Sequence, residues 1–131
     1  MARKILMSIC VLGLLLAGVG CASSGANLTG TWEMLNDQGQ PNGATKLISE
    51  DHFAFGRMRG ETGAWCGGGT WKLVDGVYFE TVEYHSMPAL VGRTLKFEMT
   101  LEEGLWRHRG RFQVGSMDLN INETWRRVKG E

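Results

Sequence analysis

Apolar and polar side chains alternate along most of this chain in short segments, each closed by glycine or an Asp/Asn turn at a spacing of roughly 8 to 12 residues. Alternation with period two puts successive side chains on opposite faces of a strand. The pattern is clearest where Leu95, Phe97, Met99 and Leu101 interleave with Thr94, Lys96, Glu98 and Thr100. Trp106, His108, Gly110 and Phe112 likewise interleave with Arg107, Arg109 and Arg111, so rings are expected inside and charges outside. The rhythm predicts eight strands: Gly30 to Leu35, Thr45 to Ser49, His52 to Arg59, Gly69 to Val74, Val77 to Tyr84, Thr94 to Leu101, Leu105 to Val114 and Met117 to Val128. Asp75-Gly76 is a tight hairpin signal, and Glu102-Glu103-Gly104 and Gly115-Ser116 can close later hairpins.

No long segment with a 3.6 period follows the N-terminal region, although Ser86 to Val91 can make one helical turn around Pro88. Parallel pairing needs crossovers of about a dozen residues or more, longer than these connections supply. The predicted fold class is therefore all-β, an antiparallel up-and-down barrel of eight strands. Closure removes exposed edges and leaves a small interior. A β-sandwich is the main competing arrangement.

The first twenty-one residues have a different character. Arg3 and Lys4 precede an almost uncharged apolar run from Ile5 to Val19, followed by Gly20 and Cys21. The run is short for a permanent span, which needs about 20 apolar residues. A basic start, an apolar stretch and small residues describe a secretory signal, and a cysteine at the cleavage point describes bacterial lipoprotein processing. The expected organisation is a signal peptide at 1–20, a lipidated Cys21 with a tether to residue 27, and a barrel domain at 28–131. Lipidation would anchor the domain in the cell envelope, and Ala22 in place of an acidic residue suits outer-membrane cargo facing the periplasm. Cleavage after Ala22 would instead release a soluble periplasmic protein.

Loss of Arg3 and Lys4 lowers the basic count from 14 to 12 against 14 acidic residues. With no basic face, the electrostatic case for nucleic-acid binding falls away. Of three cysteines, Cys10 leaves with the signal and Cys21 carries lipid, so Cys66 has no partner for an internal disulfide. It reads as an inert thiol. The sequence Trp65-Cys66-Gly67-Gly68-Gly69 suggests a nucleophile beside flexible backbone, yet no adjacent base accompanies it. The glycines read instead as a bulge or bend at a barrel rim.

Several motifs occur together. Asn27-Leu28-Thr29-Gly30-Thr31-Trp32 sets a Gly-x-Trp at the first strand, and later come His52-Phe53, Gly67-Gly68-Gly69-Thr70-Trp71, Tyr78-Phe79-Glu80 and a terminal Glu123-Thr124-Trp125-Arg126-Arg127. In these the chain resembles a group of small bacterial lipocalin-like domain proteins of the calycin superfamily, over about residues 28 to 128. The resemblance implies a calycin-type barrel with a small-molecule cavity and no particular activity. The domain is shorter than typical lipocalins, so a small or side-chain-filled cavity is expected.

The last strand carries the sharpest chemistry. Leu119, Ile121, Glu123, Trp125 and Arg127 share a face, which takes two charges inward. Buried charges are costly unless paired, and about 13 Å of strand keeps Glu123 and Arg127 apart. Arg127 is expected to stack on Trp32 and close the base of the barrel, a role the resemblance also implies. Glu123 needs another donor, and His108 on the preceding strand is the expected one. The strand from Val77 to Tyr84 is ambiguous, and a bulge that switches faces midway would reconcile it. Glu80 or Glu83 could then join His108 and Glu123. Such a cluster reads equally as the polar part of a pocket or as an internal hydrogen-bond network that fixes the fold.

The leading expectation is non-catalytic binding of a small, partly apolar or amphipathic ligand. Trp32, Phe55, Phe97, Met99, Trp106 and Trp125 would form the walls, and Tyr84, His108 and Glu123 the polar contacts. No cofactor is implied. No local spacing of His52, His85 and His108 marks a metal site. An alternative is a filled barrel acting as an interaction module, with Arg107, Arg109 and Arg111 as a candidate face or simply a solvated edge. A third is an enzyme using His108 with Glu123 or Glu80. Five tryptophans mainly supply core, with Trp65 expected in a loop at a mouth or membrane surface.

Overall fold

The computed structural model describes residues 25–130; the expected signal segment and Cys21 lie outside the described residues. Eight strands follow in order: β1 Gly30–Leu35, β2 Pro41–Ile48, β3 His52–Arg59, β4 Gly63–Val74, β5 Val77–His85, β6 Thr94–Glu102, β7 Leu105–Val114 and β8 Met117–Arg127. One 3-10 turn, Pro88–Leu90, lies between β5 and β6. Each strand pairs antiparallel with the next, and β1 pairs with β8 through Trp32↔Arg127 and Met34↔Trp125. The sheet is a closed up-and-down barrel of calycin-like form, and the sandwich alternative falls.

Two strands start well before the pattern predicted. β2 begins at Pro41 rather than Thr45, and β4 at Gly63 rather than Gly69. The glycine run lies within β4 opposite a bulge, as its glycines suggested, while Trp65, expected in a loop, lies within β4. Glycine is used here for close approach. A Cβ on Gly67 would meet the His85 and Phe55 rings, one on Gly68 would run into the Tyr84 ring, and one on Gly69 would collide with the Thr81 carbonyl oxygen. Pairing of β4 with β5 slips at this point, from Gly68↔Tyr84 to Gly69↔Val82, which leaves Glu83 as the extra residue of a bulge.

The barrel has two unlike ends. At the base, which carries the β2–β3, β4–β5 and β6–β7 turns, Trp32 is fully buried and packs edge-on against Trp106 at 5.4 Å between centroids. The Arg127 guanidinium lies 4.3 Å from the Trp32 ring centroid and donates hydrogen bonds to the carbonyls of Asn27 and Thr29. The Trp32 indole N–H donates to the Leu28 carbonyl at 2.8 Å. These contacts close the base with side chains.

Candidate functional site

Toward the opposite end the interior widens into a cavity of about 150 Å³. Period-two alternation delivers its walls: Phe53 and Phe55 from β3, Leu95 and Phe97 from β6, and Leu119 and Ile121 from β8, with Met87 and Leu90 from the β5–β6 connection. Trp65 and His85 also line it, and Trp65 packs on Phe55 at 4.6 Å between centroids.

Five ionisable side chains enter this apolar lining: Lys46, Glu80, His85, His108 and Glu123. Lys46 of β2 is buried to 2 % exposure and donates to Glu80 Oε1 at 2.8 Å across the barrel. Five rings surround its ammonium, the nearest being Trp125 at 4.9 Å and Trp106 at 5.1 Å to the centroids. Aromatic faces are negative and partly replace the water such a buried cation loses. The Tyr78 hydroxyl donates to the same Glu80 oxygen at 3.0 Å. Burial, with the Glu80 charge beside it, pushes the Tyr78 phenol far up, so it remains a neutral donor.

His108 and Glu123 face each other directly across β7 and β8. His108 Nε2 donates to Glu123 Oε2 at 2.7 Å, and the Trp125 indole N–H donates to that oxygen at 3.0 Å. Burial alone would raise the Glu123 carboxyl. The hydrogen bond from His108 and the charge of Lys46 outweigh it and hold the group at about 2. His85 has the opposite sign: burial lowers its pKa, partly offset by Glu80. Its Nδ1 accepts the Met87 backbone N–H at 2.8 Å.

Of the residues singled out from the sequence, Phe55, Phe97, His108, Glu123 and Trp125 line the cavity together. Trp32 and Trp106 lie off it, in the packed base. Met99 is half-buried against the core and borders a separate groove with Glu98 and Arg109 rather than the cavity. Tyr84 requires a correction: it is 52 % exposed on the outer surface. The physical reason is the Glu83 bulge. Tyr78, Glu80 and Val82 point inward, and the extra residue flips the alternation so that Tyr84 turns out and His85 turns in. Glu80 rather than Glu83 joins the cluster.

Lys46 is the principal residue that pattern reading passed over. Polarity would place Leu47 inside and Lys46 outside, whereas Leu47 is 53 % exposed. The available signal was the sharing of a face by Ala44, Lys46 and Ile48, all buried.

Two of the three arginines on the outer face of β7 are locally paired: Arg109 bonds Glu98 at 3.0 Å and Arg111 bonds Asp118 at 2.8 Å. Cys66 is half-buried, and its backbone N–H donates to Ser86 Oγ at 3.1 Å. Among the described residues, no group of three or more His, Cys, Asp or Glu side chains is placed to hold a metal ion. The arrangement can hold a small guest between apolar walls and orient it by a few fixed charges. Compared with known proteins, the chain matches no family model and no curated protein.

Proposed function

We propose that this chain is a cell-envelope barrel that holds a small, partly apolar ligand in its interior without changing it chemically. The observation that carries the reading is the interior cavity of about 150 Å³, walled by aromatic and aliphatic side chains and entered by two buried charge-bearing pairs. Ligand sites commonly have this composition, apolar walls with a few fixed polar groups. The volume suits a compact guest, since an apolar cavity of about 150 Å³ is large enough for benzene. A non-catalytic role is supported by the two groups most displaced in pKa. Glu123 is held too low to serve as a strong base near neutral pH, and Tyr78 too high to give up its proton. The envelope placement rests on Arg3, Lys4, the apolar run and Cys21, and the likeness to lipocalin-like proteins on the motifs and the barrel.

Native mass spectrometry of the protein purified from its own host, before and after denaturing extraction, tests the reading. A discrete extra mass that disappears on extraction is expected. Ile121→Phe, which fills the cavity from β8, should abolish that mass while leaving a folded barrel. A bare protein that takes up no small apolar guest in titration would defeat the proposal.

A further inference from the structure

Each carboxylate in the cavity wall takes its donors on a single oxygen. Lys46 and Tyr78 both donate to Oε1 of Glu80, and His108 and Trp125 both donate to Oε2 of Glu123. Among the described residues nothing donates to Oε2 of Glu80 or to Oε1 of Glu123, although every carboxylate oxygen can accept. Neither of these oxygens is sealed away; the unpartnered side-chain atoms buried without open surface are Trp106 Nε1 and His108 Nδ1. Both glutamates line the cavity, and Glu80 is only 5 % exposed. The free oxygens therefore have their open surface where a guest would lie.

The other polar groups of the cluster leave this role to the carboxylates. Lys46 can only donate, and its ammonium sits among five aromatic rings. His85 spends Nδ1 on the Met87 backbone N–H, so its ring hydrogen is on Nε2. Nε2 of His108 donates to Glu123 whether or not that ring is charged, so the two free acceptors do not depend on its charge. Most of the remaining wall is aromatic or aliphatic. A guest that fills such a space takes water away from both oxygens and loses affinity unless it replaces those hydrogen bonds.

We propose that the cavity selects a guest whose apolar body, of about benzene's size, carries a hydroxyl or N–H group that donates to the free oxygen of Glu80 or Glu123. The proposal rests on the reading of the barrel as a ligand holder and adds the chemistry of the guest. A guest without a donor would leave both oxygens stranded against apolar surface. A guest carboxylate would set acceptors against acceptors and bring its own negative charge beside theirs.

Isothermal titration at pH 7 with phenol and toluene tests this on the protein as its host matures it. The probes share a ring and nearly match in size, with a hydroxyl in one where the other has a methyl. Phenol should bind about tenfold more tightly, the reverse of the order in which the two leave water for an apolar medium. In Glu80→Gln and Glu123→Gln the amide keeps its oxygen toward the two resident donors and turns its NH2 to the cavity, placing a donor where an acceptor stood. At least one of these variants should cut the phenol-to-toluene ratio about fivefold, while Glu98→Gln on the outer face should leave it unchanged. Equal binding, preference for toluene, or a ratio that neither folded variant moves overturns the donor assignment and leaves the ligand-holding reading standing. Failure of both probes to bind overturns both. Should the buried variants not fold, the ranking of the probes on the unaltered protein decides the matter.

Discussion

Glu123 ties the stability of the barrel to acid. Its carboxyl lies at about 2 in the folded protein, below an ordinary value near 4.5, so the unfolded chain binds the extra proton first as pH falls. The stabilisation is complete above about 4.5 and drains away toward 2, and the gap amounts to on the order of 3 kcal/mol. Urea midpoints measured from pH 6 to pH 2 should fall steeply in that window, and Glu123→Gln should flatten the slope. Coincident slopes would mean that the His108 pairing does not set the titration. Lys46 makes a complementary case. Lys46→Met should cost about 3 kcal/mol because it strands the Glu80 charge in the interior, and the double variant Lys46→Met with Glu80→Gln should recover much of the loss. Additive single losses in that cycle would show that the two side chains are not coupled. These two pairs also differ in how far a sequence reader could see them. Glu123 and His108 sit on adjacent strands whose alternation is plain, so their meeting followed from the faces. Lys46 meets Glu80 across the barrel, three strands away in the order, and nothing local to β2 announces that partner.

At the scale of the element, the eight strands were legible because hairpin turns and period-two patterning agree almost everywhere. The exception is the β4–β5 ladder. A glycine run carries no face of its own, and its extended pairing depends on what neighbouring strands offer, here the full ladder from His52↔Thr70 to Arg59↔Gly63. The bulge at Glu83 was legible only as a conflict between two faces of β5, and its position decides whether Tyr84 or His85 enters the barrel. Two glycine substitutions contrast a crowded backbone site with an open one. Gly69→Ala places a methyl against the Thr81 carbonyl oxygen and the Glu83 amide, neither of which can yield without breaking the bulge. It should cost about 3 kcal/mol or more and expose His85. Gly104, by contrast, has φ 76° with open space around it, so Gly104→Asn, a residue that tolerates this conformation, should change stability by less than about 1 kcal/mol. Thermal melts of both variants give the comparison; similar losses would remove the steric account of the bulge.

The molecule as a whole divides stability from exchange between its two ends. The base is held by Arg127 over Trp32 and by its hydrogen bonds to the carbonyls of Asn27 and Thr29, none of which lines the cavity. Arg127→Ala should therefore lower stability by about 2 kcal/mol, losing one cation–π contact and the charge-assisted hydrogen bonds, without altering affinity for a guest. At the other end Trp65 is half-exposed, packed on Phe55 and covered by Arg57 at 5.5 Å from its ring centroid. It borders the cavity yet contributes none of the buried charges. Since side chains close the base, a guest must pass the end where Trp65, His85 and Met87 lie. Trp65→Ala should then accelerate entry and exit together, raising both rate constants several-fold in stopped-flow titration with a small aromatic guest of about benzene's size while the ratio of the two changes by less than tenfold. A loss of affinity carried by the exit rate alone would make Trp65 a binding wall, and unchanged rates would place the entrance elsewhere. The opposite responses expected of Arg127→Ala and Trp65→Ala are what a barrel with a fixed floor and a permeable rim requires.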